Sequence, residues 1–74
     1  MADILSSKVV KRSVSIAGHT TSVSLEEPFW AALQTIAKTE GRSLAALITD
    51  IDERRGTNLS SALRLYVLQS LQQR

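Results

Sequence analysis

The chain of 74 residues contains no cysteine, one histidine and one proline. Without thiols there is neither a disulfide nor a thiolate metal ligand, and His19 alone cannot assemble a zinc site of the usual composition within one chain. A solvent-facing turn is the expected place for it, and neither a metal nor a cofactor is expected. No apolar run approaches the ~20 residues of a membrane span. Met1 to Leu5 lacks the basic start and long apolar stretch of a signal peptide, so the chain is expected to be cytoplasmic, with no membrane partner. Serines are numerous, yet none has the base and orienting partner that nucleophilic catalysis needs, and there is no glycine-rich phosphate loop. No catalytic residue and no enzymatic activity are expected. No internal repeat or low-complexity tract is visible.

A hydrophobic fraction of 43% against 22% charged residues is too apolar for a disordered chain. At this length a single domain has a barely sufficient core, and with disulfides and metals excluded, self-association is the remaining support. Residues 1–10 show no period and are expected to form a mobile arm, with residues 11–74 as the domain. The net charge of +2 is unevenly placed. Lys8, Lys11 and Arg12 against Asp3 supply all of it within residues 1–25, whereas basic and acidic side chains cancel in residues 26–74. The excess therefore lies on the strand side, where a phosphate backbone would be met.

Residues 20–25 alternate, with Thr21, Val23 and Leu25 on one face and Thr20, Ser22 and Ser24 on the other, which predicts a half-buried strand. A lone strand cannot satisfy its own backbone, so it must pair, and a copy of itself is the expected partner. Residues 11–17 alternate too, with Val14 and Ile16 opposed to Ser13 and Ser15. A Gly18-His19 loop would set Ile16 against Thr21 and Val14 against Val23, with both apolar sets on one face.

The first helix is expected to begin near Glu26 and end near Glu40. Glu26 and Glu27 suit its positive end, Pro28 is tolerated in the first turn, and Ser24 with Glu27 matches a capping box. Phe29, Leu33, Ile36 and Ala37 form its stripe, which Trp30 widens. Gly41 supplies a left-handed stop. Ser43 can cap a second helix carrying Leu44, Leu47, Ile48 and Ile51, and Asn58 or Thr57 a third, running to about Gln72. The third helix is apolar on more than one face and is expected to pack on its own subunit and on a second one. Asp50, Asp52 and Glu53 are read as a solvated surface rather than a metal site, because positions two apart on a helix diverge. Asp50 or Glu53 is expected near Arg54.

Strand, helix, Gly41-Arg42-Ser43 and helix, in that order from His19 to Leu44, closely resemble the ribbon-helix-helix superfamily. The segment KRSVSIAGH ahead of TSVSLEEPFWAAL, with the later ID, RR and NLSSALR, is similar to its short stand-alone bacterial members with an extra C-terminal helix. The resemblance implies a mainly α fold with a short β ribbon, β-α-α plus a third helix, as an intertwined homodimer, to which the alternation of residues 11–17 adds an N-terminal strand as an expectation. Val23, Leu25, Leu33, Leu47, Ile48 and Ile51 are then expected in the dimer core. The resemblance also implies a DNA-binding regulator whose ribbon enters the major groove. Thr20, Ser22 and Ser24 occupy the base-reading positions, while Lys11, Arg12, Arg42 and the Ser43 backbone hold phosphates. Short hydroxyls are weak readers, however, and a four-stranded sheet is wider than the groove. The alternative is a homodimeric protein-interaction module, antitoxin-like or an adaptor, with a protein partner.

Overall fold

Strands β1 (Val9–Ile16) and β2 (His19–Glu26) pair antiparallel, and helices α1 (Glu27–Thr39), α2 (Leu44–Arg54) and α3 (Leu59–Gln72) follow. The structure is a computed structural model and describes residues 3–73. One face of the hairpin packs on the helices. Ile16, Val23 and Leu25 join Trp30, Leu33, Ala37, Leu47, Ile48, Ile51, Ala62, Leu63 and Val67 in a single core.

The hairpin corrects three expectations. First, β2 pairs along its whole length with β1 of the same chain, so its backbone does not need a second copy to be satisfied on that edge. Second, β1 starts at Val9, so Val9 and Val10 belong to the ladder rather than to an arm, and residues 4–6 form a 3-10 turn. Both valines are β-branched and find partners in Glu26 and Leu25. Met1 and Ala2, the start of the expected arm, lie outside the described residues.

Third, the turn is Ala17-Gly18, which sets Ile16 opposite His19, Val14 opposite Thr21 and Arg12 opposite Val23. Both turn residues have positive φ, 51° and 85°, the backbone that lets a two-residue loop follow the twist of its strands. The displacement from the expected register is two residues, an even number, so every side chain keeps its expected face. Ala17 is the misfit, since an L side chain is strained at positive φ unless it can hydrogen-bond locally. Ala17→Asn is therefore expected to stabilise the chain by roughly 0.5–1 kcal/mol. A thermal melt with no upward shift would contradict this.

The expected capping box does not form. The ladder carries β2 on to Glu26, which holds the N-cap position without a side-chain bond, and Ser24 stays extended opposite Lys11. The backbone amide of Glu27 donates instead to the Lys8 carbonyl at 3.1 Å. At the other end of α1, Gly41 has φ +70°. Its amide donates to Lys38 and that of Arg42 donates to Ala37, the paired bonds of a Schellman stop. Ser43 Oγ accepts from the Ala46 amide at 3.1 Å, and Asn58 Oδ1 from that of Ser61 at 2.9 Å, so both expected caps form.

The widest side chain of α1's core face is Trp30, fully buried, whereas Phe29 and Ile36 are only partly covered. Its indole N–H donates to the Val10 carbonyl at 2.9 Å, tying α1 to β1. The six residues expected in a dimer core are each at most 4% exposed within one chain. The hairpin and α3 close the space that one strand and two helices would leave open. Exposed leucines lie elsewhere, at Leu5 ahead of β1 and at Leu65, Leu68 and Leu71 of α3.

Candidate nucleic-acid interface

The register sorts the hairpin into two chemically distinct faces. Val10, Val14, Ile16, Val23 and Leu25 turn toward the helices. On the other face Thr20 lies opposite Ser15, Ser22 opposite Ser13, and Ser24 opposite Lys11. Five short hydroxyls and one lysine therefore make a field that can donate and accept hydrogen bonds, with the exposed Val9 opposite Glu26 at its end. Its acidic residue, Glu26, sits at the rim, where its Oε1 accepts from Arg64 Nε at 3.3 Å. The Glu26 carboxyl lies below its ordinary pKa, first because its own backbone amide donates to it and further because of Arg64.

The residues expected to hold phosphates are not together. Lys11 lies on the outward face, but Arg12, one position along, lies on the inward one. The Arg12 guanidinium stacks over the Trp30 ring at 5.2 Å and pairs with Glu27 at 3.8 Å. Arg42 is held by Glu40 at 2.7 Å and Asp50 at 3.3 Å. Burial opposes its charge, but these two carboxylates outweigh that and raise its pKa. Ser43 acts as the cap of α2.

Asp50 also pairs with Arg54 at 3.1 Å, and Asp52 turns away to Arg55 at 2.8 Å, the divergence expected of helix positions two apart. Tyr66 of α3 donates to Glu40 Oε2 at 2.8 Å, joining the same network. Its phenol is pushed above the ordinary pKa by burial first and by Glu40 second. The charges at this end of the bundle are thus spent on one another. Among the described residues, no group of three or more histidine, aspartate or glutamate side chains could hold a metal ion.

Ser13 and Ser15 were not among the expected contacts, although the alternation places them on the face of Thr20, Ser22 and Ser24 in any even register. The signal was the matching parity of two strands, visible only once both are drawn as one sheet.

No curated protein matches the chain at a significant level. Among solved structures, it is similar to an uncharacterized protein from Bordetella pertussis Tohama I, with 34% identity and a TM-score of 0.75. That similarity covers 96% of this chain and 63% of the other, so the chain spans somewhat less than two-thirds of that protein's length. The family model for the ribbon-helix-helix domain matches residues 9–71, from the first residue of β1 to the last turn of α3. Hairpin, helix, Gly41 stop and Ser43-capped helix all fall within that match, and the chain belongs to the ribbon-helix-helix domain family.

Proposed function

We propose that the protein is a homodimeric, cytoplasmic DNA-binding regulator whose outward hairpin face meets the duplex. The family is usually one of DNA-binding regulators or antitoxins. The observation that carries the reading is the hairpin's outward face, which combines hydroxyls and Lys11 and keeps its carboxylate, Glu26, at the rim in an ion pair. A phosphate backbone meets no uncompensated negative charge there. Thr20, Ser22 and Ser24 face the bases and Lys11 meets phosphate. Arg42 and the Ser43 backbone are secondary phosphate contacts, because Arg42 would first have to share its charge with two carboxylates.

Dimerisation places one β2 beside another. In the two-stranded sheet each strand has one unpaired edge. Between residues 19 and 25 β2 carries no formally charged side chain, whereas β1 carries Lys11 and Arg12, which would approach their own copies if β1 paired with β1. Thermal stability is expected to rise with protein concentration, and sedimentation as a folded monomer at micromolar concentration would remove the dimer.

Ser22→Glu tests the DNA reading directly. Ser22 is exposed, so the fold should be retained, but each subunit then turns a carboxylate toward the phosphates. Affinity for duplex DNA should fall at least about tenfold. Unchanged binding in a folded variant would move DNA away from this face.

A second reading is favoured by α3, where Leu65, Leu68 and Leu71 remain half or more exposed. An apolar row of this kind suits a protein partner, as in a homodimeric antitoxin-like or adaptor module. Absence of salt-sensitive DNA binding would favour it.

A further inference from the structure

From the anchoring of β1 we infer that the sheet lies across the major groove as a four-stranded whole, with β1 over the phosphate rims, rather than shedding β1 so that a two-stranded ribbon can enter. This rests on the reading of the outward face as the DNA-binding surface.

The alternative requires β1 to leave. Several contacts hold it, and they come from different parts of the core. Ile16 is only 3% exposed, and Val10 and Val14 pack against the buried cluster. The Val10 carbonyl accepts the indole N–H of Trp30. Arg12 lies over the same ring and pairs with Glu27. Beyond the strand, the Lys8 carbonyl accepts from the Glu27 amide. Removing β1 would break the ladder and expose Ile16 and Trp30 together. Such a strand is part of the core and does not behave as a detachable arm.

Pairing β2 with β2 of a second copy gives the order β1-β2-β2-β1. At about 4.8 Å per strand the outer axes stand roughly 14 Å apart. The major groove is about 12 Å wide and about 8.5 Å deep. The intact sheet therefore cannot descend, and its outer strands come to rest over the two phosphate rims. On those strands the outward side chains include Lys11, with Ser13 and Ser15 beside it. A lysine ammonium on its four-carbon stem suits phosphate at that height. The central strands present Thr20, Ser22 and Ser24 above the groove floor, where a hydroxyl one bond beyond Cβ cannot cross the depth. Water must fill the gap, so bases are sensed weakly and phosphates dominate. The composition of the face matches this role, with short hydroxyls in the centre and a cation on the flank.

Amide exchange on the wild-type protein, free and bound to a random-sequence DNA duplex, tests the inference alongside salt titrations of wild type and Lys11→Ala. Amides of residues 10–16 and of residues 20–25 should remain protected in the complex. Lys11→Ala should flatten the logarithmic salt slope by about two units, one phosphate for each subunit of the dimer. Unrelated duplexes should bind within about tenfold of one another, below the usual gap between specific and non-specific sites. Loss of protection confined to β1 in a tight, salt-sensitive complex would overturn the inference and leave DNA binding by the ribbon standing. Full protection with an unchanged slope for Lys11→Ala would place DNA on another surface and also overturn it. If the wild type binds no duplex in a salt-sensitive way, the proposed function itself falls.

Discussion

Trp30→Ala is expected to remove about half of the folding free energy. Trp30 is fully buried and is the only tryptophan in the chain. Truncating such a side chain costs about 3–5 kcal/mol through lost burial and the cavity left behind. The variant also leaves the Val10 carbonyl without its indole partner and removes the ring on which Arg12 rests. At roughly 0.05–0.15 kcal/mol per residue, a domain of this size holds only about 4–11 kcal/mol. Urea denaturation followed by far-ultraviolet circular dichroism is the measurement, since the fluorescent reporter is itself deleted. Trp30→Phe separates the contributions: it keeps most of the apolar volume and loses the N–H donor, so about 1–2 kcal/mol should go. An alanine variant within about 1 kcal/mol of wild type would show that the helices do not depend on this anchor.

Raising salt is expected to weaken DNA binding by roughly tenfold between ~50 and ~200 mM, because the affinity comes mainly from phosphate neutralisation. Lys11 lies on the outward face of β1, whereas Lys8 shares the inward parity of Val10 and Arg12. With Lys11 of both subunits engaged, about two phosphates are neutralised, and the logarithmic slope is about −1.8. Arg12 does not add to this number while it remains over Trp30 and beside Glu27. Arg42 does not add while Glu40 and Asp50 hold it. Fluorescence anisotropy of a labelled duplex across a salt series reads the slope directly. A slope of about −8 would mean that the helix-borne arginines also reach phosphate. A slope near zero would leave the exposed α3 leucines as the better guide to function.

The order of elements, the caps of α2 and α3 and the faces were set by the sequence alone. Alternation of period two sorted Val23 and Leu25 from Ser22 and Ser24, and the helical period sorted Leu47, Ile48 and Ile51 from the charged side of α2. Gly41, Ser43 and Asn58 marked their helix ends, because a left-handed stop and an N-cap are satisfied within a few residues. These are local rules, in which each residue's neighbours along the chain decide its conformation.

Tertiary structure decided what depended on contacts between distant segments. Register is one case: Ala17-Gly18 and Gly18-His19 both keep the apolar faces aligned, and only the backbone of the closed hairpin distinguishes them. Trp30 is another. Its place in the helical stripe looked peripheral, yet the pocket under β1, 20 residues away in the chain, makes it the anchor of the fold. The charges show the same limit. Arg12, Arg42 and Lys11 are equivalent as letters, but an arginine within reach of a carboxylate loses much of its attraction for phosphate, and which carboxylates come within reach is fixed by packing. Alternation predicted that the hydroxyls would share a face. The fold decided that this face carries a β1 anchored to the core through Ile16 and the Val10–Trp30 bond, because strand pairing and core burial are properties of the whole chain.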